Sequence, residues 1–187
     1  FQGSRGLGDV YKRQVINGGT GSVTVNGAIG ASNPLSTITI GSVGTGTVEV
    51  TNIGGGSAGA TSTTAIGNTD TATLTLDGTV YKTGDTQTYT AATGGGNIDI
   101  TGAATFTTSA DNIAFNTSGV DLAANVAITT GTGGAGTVSF GGAIEAANAG
   151  TETLTIDSGS GNVTFSGAIG LTNALGGLDV NATAGDG

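Results

Sequence analysis

Apolar residues in this chain come in pairs that flank one polar or small residue, and the resulting triplets are bounded by Gly or Asn. The first half holds Val23-Thr-Val25, Ile38-Thr-Ile40, Val48-Glu-Val50, Leu74-Thr-Leu76 and Ile98-Asp-Ile100. The second half adds Ile113-Ala-Phe115, Val120-Asp-Leu122, Val126-Ala-Ile128, Val138-Ser-Phe140, Leu154-Thr-Ile156, Val163-Thr-Phe165 and Leu178-Asp-Val180. A period of two belongs to strands with one buried face. No window sustains the i, i+3, i+4 spacing of an amphipathic helix, and the Gly, Thr and Val content opposes helix throughout. The pattern predicts an all-β chain.

Repetition turns these strands into an architecture. Gly21-Ser-Val-Thr-Val-Asn-Gly-Ala-Ile-Gly30 aligns with Gly136-Thr-Val-Ser-Phe-Gly-Gly-Ala-Ile-Glu145 and with Gly161-Asn-Val-Thr-Phe-Ser-Gly-Ala-Ile-Gly170. Each Gly-Ala-Ile is followed by an Asn (Asn33, Asn148, Asn173) and then by another triplet. Val23 and Val48 are 25 residues apart, as are Val138 and Val163. The unit is therefore two short strands joined by a Gly-Ala-Ile turn, and it cannot bury an apolar face without stacking on copies of itself. A parallel β-solenoid (β-helix) of about seven coils over residues 15–187 follows, roughly 34 Å long at ~4.8 Å per rung. Val23 should then lie one rung from Val48, and Val138 one rung from Val163. Triplet middles such as Thr24, Thr39, Glu49, Thr75, Asp99, Ser139, Thr155, Thr164 and Asp179 should face solvent. Asn33, Asn148 and Asn173 are expected to stack as a structural turn ladder through their amides.

Residues 52–96 depart from the unit. A Gly/Ser/Ala/Thr tract fills 52–64, and 71–90 reads as strand, Asp77-Gly78 turn, short strand, Gly84-Asp85 turn, strand. An irregular coil or hairpin-like insertion is expected there, with a small separate β-domain as the alternative.

Composition narrows the chemistry. The 187 residues include 38 Gly, one Pro, and no Cys, Met, Trp or His, which excludes disulfides, thiolate or imidazole metal ligands and Ser-His or Cys nucleophile systems. Aromatics make up 4% of the chain, so small β-branched residues are expected to fill the interior. Four Lys+Arg against 13 Asp+Glu give a net charge of -9, which disfavours nucleic acid and anionic membrane as partners. No apolar run approaches the ~18 residues of a membrane helix.

The first fourteen residues read as foreign to the natural protein. Phe1-Gln2-Gly3-Ser4 resembles an uncut tag-removal site, and Ser4-Arg-Gly-Leu-Gly-Asp-Val-Tyr-Lys-Arg-Gln14 resembles a translated sequencing-library adapter of metagenomic origin. Natural coding sequence is then expected to begin near Val15, inside a longer protein, leaving twelve acids against the single base Lys82.

Four segments carry a resemblance to a family: Gly84-Asp-Thr-Gln-Thr-Tyr-Thr90, Ala104-Thr-Phe-Thr-Thr-Ser-Ala-Asp-Asn-Ile-Ala-Phe115, Val163-Thr-Phe-Ser-Gly-Ala-Ile169 and Leu175-Gly-Gly-Leu-Asp-Val-Asn-Ala182. They look like the β-strand repeats of bacterial surface proteins similar to filamentous haemagglutinins and autotransporter passenger domains. The resemblance implies a right-handed parallel β-helix in a secreted, cell-surface adhesin, and it brings no catalytic residues with it.

The reactive inventory is acidic: Glu49, Asp70, Asp77, Asp85, Asp99, Asp111, Asp121, Glu145, Glu152, Asp157, Asp179 and Asp186. Asp99 and Asp121 are the pair a β-helix glycosidase could use, although a sugar site would also want Arg, Lys, His or Trp. Calcium suits bare carboxylates, but no Asp-x-Asp-x-Asp loop or Gly-Gly-x-Gly-x-Asp array is present beyond Gly185-Asp-Gly187. Gly18-Gly-Thr-Gly21 and Gly133-Gly-Ala-Gly136 open no helix and carry no Lys, which removes a phosphate-loop reading. Thr-x-Thr steps at Thr37/Thr39, Thr71/Thr73/Thr75, Thr88/Thr90 and Thr153/Thr155 invite an ice-binding reading, with acidic and Ala middles expected to interrupt the face. The functional expectation is a non-enzymatic rigid stalk in a secreted bacterial surface adhesin or fibre, without cofactor or metal. Its partners would be its own neighbouring repeats and host or environmental glycans. The alternatives are a carbohydrate- or ice-binding face on the same solenoid and a tandem β-sandwich stalk.

Overall fold

The structure is a computed structural model that describes residues 13–43, 46–131 and 134–181. Its strands wind through seven successive coils. Coil one carries β1 (Arg13–Asn17) and β2 (Val23–Ile29), and coil two β3 (Thr37–Gly41) and β4 (Thr47–Ile53). Coil three carries β5 (Thr64–Gly67), β6 (Thr73–Leu76) and β7 (Val80–Lys82), and coil four β8 (Gln87–Thr90), β9 (Asn97–Ile100) and β10 (Thr105–Thr107). Coil five carries β11 (Ile113–Asn116), β12 (Gly119–Leu122) and β13 (Val126–Thr129), and coil six β14 (Val138–Phe140), β15 (Ala143–Ala146) and β16 (Thr153–Asp157). Coil seven ends the described residues with β17 (Val163–Phe165) and β18 (Gly177–Asn181).

These strands stack in three columns. β1, β3, β5, β8, β11, β14 and β17 make one seven-stranded sheet. The first halves of β2 and β4 continue through β6, β9, β12 and β15 as the second column. The ends of β2 and β4 lead into the third, through β7, β10, β13, β16 and β18. Every pairing among the described strands is parallel, which rules out the β-sandwich alternative. Val23 pairs with Val48 and Val138 with Val163, each one rung apart as the 25-residue spacing requires.

Two expectations are corrected. Residues 71–90 form no hairpin: β6 pairs with β4 and β9, β7 with β4 and β10, and β8 with β5 and β11. The Asp77-Gly78 and Gly84-Asp85 signals turn the chain at solenoid corners instead of reversing it onto itself. Irregularity is also found in the first two coils. β2 and β4 each run seven residues across two columns, with a register shift between Val25 and Ala28, whereas later coils divide the same path into two strands. Nor is Gly-Ala-Ile a turn. Ile29 and Ile53 pair in the third column, and Ile144 lies in β15, bridged to Ile169. Coils three to six therefore hold three strands each where the sequence suggested two.

The interior is three-sided. In the second column Val48, Leu74, Ile98, Val120 and Ile144 succeed one another in register, all fully buried. Full burial of such side chains is worth about 1.5–3 kcal/mol each. Few as they are, aromatic residues fill much of the other two columns. Tyr89, Phe115, Phe140 and Phe165 stack successively with ring centroids 5.3, 4.7 and 5.5 Å apart. Tyr81 stacks on Phe106 at 4.8 Å, and the two piles meet edge to face through Tyr81–Tyr89, Tyr89–Phe106 and Phe106–Phe115. Aromatic pairs of this geometry add about 0.5–1.5 kcal/mol each beyond area burial, so few rings stiffen several coils.

Burial raises the pKa of both phenols, and each finds a partner inside. Tyr81 donates to the Val50 carbonyl at 2.7 Å and accepts from the Gly78 N–H at 3.0 Å. Tyr89 donates to Gln87 Oε1 at 2.7 Å, while Gln87 Nε2 donates to the carbonyls of Tyr81 and Thr107. Thr64, the register neighbour of Gln87, carries the one buried side-chain polar atom without a hydrogen-bond partner among the described residues. At the corners backbone rests on backbone. Gly67 has φ 73°, and a Cβ there would sit on the Thr90 carbonyl oxygen of the next coil, so only glycine closes that bend.

Two substitutions test this core. Phe115→Ala should destabilise by about 3–5 kcal/mol in denaturant unfolding, and Phe165→Ala by less, because Phe165 is only half-buried in the last described coil. Thr64→Val removes the orphaned hydroxyl at nearly constant volume and should stabilise by about 1 kcal/mol or more. An unchanged or lowered midpoint would show that the hydroxyl is satisfied.

Candidate functional site

Outward residues are sorted by column. In the second column the triplet middles Thr24, Glu49, Thr75, Asp99, Asp121 and Glu145 are register partners one above another, which places three carboxylates on consecutive coils. Asn97, two residues before Asp99 on the same strand face, donates its amide to Asp99 Oδ1 and to Asp121 Oδ2, the latter at 2.8 Å. One neutral side chain thus spans both carboxylates. Glu145 turns toward the following coil and accepts from the backbone N–H groups of Thr172 at 3.1 Å and Asn173 at 2.8 Å.

Other acids hold turns. Asp85 Oδ1 accepts from the Thr86 N–H at 2.6 Å and Asp157 Oδ1 from the Gly159 N–H at 3.1 Å. The buried Glu152 carboxylate accepts from both the backbone and the side-chain nitrogen of Asn148, each at 3.1 Å. Carboxylates committed to backbone N–H groups in this way fix local geometry. Among the described residues no group of three His, Cys, Asp or Glu side chains is placed to hold a metal ion, and no helix is long and apolar enough to cross a membrane. Asp186 and Gly185-Asp-Gly187 lie outside the described residues.

The Asp99–Asp121 pair is brought together, as directly paired residues of β9 and β12. Parallel neighbours are only about 4.8 Å apart. With Asn97 bonded across them, the pair forms a clamp on an exposed strand face.

The proposed Asn ladder does not form. Asn33 is exposed at a corner of coil one, whereas Asn148 and Asn173 sit on coils six and seven. The Asn148 amide goes to Glu152, and the Asn173 N–H goes to Glu145. The physical reason is a change of station. The shared Gly-Ala-Ile motif runs from the second to the third column in coil one, but from the first to the second in coils six and seven. Equal sequence therefore does not mean equal position on the rod.

Different asparagines bridge the coils. Asn52 Oδ1 accepts from the N–H groups of Thr79 at 2.9 Å and Val80 at 3.0 Å, Asn112 Oδ1 from Thr137 N–H at 2.8 Å, and Asn125 Oδ1 from Thr153 N–H at 3.0 Å. Their separations of 27, 25 and 28 residues are about one coil. An Asn followed one coil later by a Thr was the signal available.

The first column is different again. From β3 onward none of its strands contains an Asp, Glu, Lys or Arg. Its central outward positions are Thr39, Ala65, Thr88, Ala114, Ser139 and Thr164, all in register. Among the described residues the acids expected to interrupt this face lie on the second and third columns and at corners; the alanines remain.

No protein-family model, curated protein or solved structure matches the chain.

The acidic clamp has a pH signature. Partial burial raises the Asp99 pKa, the Asn97 hydrogen bond opposes that shift, and the Asp121 charge adds to it. A carboxyl that binds its proton more tightly when folded contributes stability below the ordinary range, near 3.9, and loses it as pH rises through its raised value. Glu152 has the opposite sign. The Asn148 side-chain hydrogen bond lowers its pKa, so its contribution is present above the ordinary range and lost as pH falls through the lowered value. Asp99→Asn should therefore stabilise at neutral pH by under about 1 kcal/mol, since the site is largely solvated, and make no difference near pH 3 in thermal unfolding. Asn97→Ala should raise the Asp99 pKa further in an NMR titration. A lowered value would show that the amide does not hold the pair.

Proposed function

We propose that this chain is a rigid structural segment, a stalk, in a secreted bacterial surface adhesin or fibre. The observation that carries the reading is continuous parallel stacking: each coil hands its columns to the one that follows it, and an aromatic pile runs inside coils three to seven. A stack in which each coil contacts only its neighbours has a length set by coil number and resists bending, because bending opens ladder hydrogen bonds on one side. The acidic clamp, the Glu152–Asn148 pair and the Asn52, Asn112 and Asn125 bridges all connect segments of the rod itself. Neighbouring repeats of the same polypeptide are accordingly its principal partners, with glycans engaged by other parts of an adhesin.

Excising one coil tests the reading. Deleting residues 87–112, which run from the start of β8 to the residue before β11, removes one full turn and joins Thr86 to Ile113, the register equivalent of the deleted Gln87. The expected product is a folded rod shorter by about 4.8 Å, measured by small-angle X-ray scattering. In single-molecule pulling the intact rod should yield only at high force. Collapse to a compact or flexible particle, or saturable and selective capture of one glycan on an array by the intact chain, would overturn the stalk reading.

A further inference from the structure

We infer that the outer face of the seven-stranded sheet is a docking surface for crystalline water, that is, for an ice face. The first support is where the charge is not. The chain is strongly acidic, yet β3, β5, β8, β11, β14 and β17 contain no Asp, Glu, Lys or Arg, while Glu49, Asp99, Asp121 and Glu145 occupy the equivalent outward positions of the adjacent column. Charged side chains orient water radially and are costly to dehydrate, so a neutral face on an acidic rod selects a neutral occupant.

The second support is periodicity. Thr39, Ala65, Thr88, Ala114, Ser139 and Thr164 repeat at the rung spacing of about 4.8 Å. A repeat at one spacing along six coils suits a periodic solid better than one small solute. Threonine is stiff at χ1, so its hydroxyl and methyl groups are held in place before contact and lose little entropy on docking.

The third support separates ice from crystalline polysaccharide. All aromatic side chains among the described residues are in the internal piles, and the described strands of this face from β3 onward offer neither a ring for a sugar to stack on nor a cation. What the face offers is hydroxyls that both donate and accept, interleaved with methyl groups, which is the bonding capacity of water itself. This activity is additional to the structural role and can fail without affecting it.

The test uses the whole chain, fluorescently labelled, in an ice-affinity partition and an ice-recrystallisation assay. The wild type should concentrate in slowly grown ice and suppress recrystallisation. Thr88→Lys, at the centre of the face between Ala65 and Ala114, should lose both effects, and so should Ser139→Lys two coils away. Thr75→Lys, on the acidic column between Glu49 and Asp99, should retain both. Circular dichroism and thermal midpoints confirm that each variant is folded, and the two face variants back each other if one is not. Exclusion of the wild type from ice, equal behaviour of the face and acidic-column variants, or retention on insoluble cellulose or chitin that Thr88→Lys abolishes would overturn the inference.

Discussion

Everything in this molecule answers to one constraint, that each coil lies in register on the next so that a side chain's nearest neighbours are residues one coil away in sequence. Inward positions consequently come as columns of similar size, because a large residue over a small one would leave a void or a clash on both rungs. The change from aliphatic to aromatic is handled within the same rule. The first column runs Ile38/Ile40 and Ile66 before Tyr89, and the third runs Ile53 before Tyr81. Both aromatic runs begin with a tyrosine. Its hydroxyl meets a polar group at the boundary, the Val50 carbonyl for Tyr81 and the Gln87 amide for Tyr89, and the phenylalanines that follow need no such partner. The buried polarity of coils three and four is thus the seam between two kinds of packing, and the orphaned Thr64 hydroxyl lies beside it.

How much of this was legible depended on the range of the signal. Every apolar-x-apolar triplet became part of a strand, since two inward residues per strand leave a period-two trace. β5, β10 and β15 were invisible because each shows too little of it: Thr64-Ala-Ile66 has one aliphatic inward residue, β10 has Phe106 alone, and Ala143–Ala146 was hidden inside Gly-Ala-Ile. The corners at Asp77-Gly78 and Gly84-Asp85 were located but misassigned. A tight turn looks the same in a hairpin and at a solenoid corner, and the direction of the next strand is set by partners about a coil away, Ile53 for Tyr81 and Ile66 for Tyr89.

The surface was less legible than the core for the same reason. Composition shows that the chain is acidic and rich in threonine but says nothing about which column each residue joins. The coil length varies: Val48, Leu74, Ile98, Val120 and Ile144 are register equivalents although their spacings differ. A fixed 25-residue ruler therefore drifts between columns, and the Asn33, Asn148 and Asn173 alignment failed by that drift. Asp99 and Asp121 came together because both are middles of second-column strands, so their pairing followed from strand identification.

The constraint acts in opposite senses inside and outside. Stacking like on like favours apolar and hydroxyl columns, but it forces like charges to about rung distance, which is unfavourable wherever nothing neutral intervenes. The acids are arranged accordingly. Asp85, Asp157 and Glu152 sit at corners, where free backbone or side-chain N–H groups receive them. Where three do stack, Asn97 is inserted between the first two and Glu145 leans onto the N–H groups of Thr172 and Asn173. Confining that cost to one column leaves the seven-stranded sheet free of charge from β3 onward, so one register rule accounts for both the acidic clamp on one side of the rod and the neutral hydroxyl face on another.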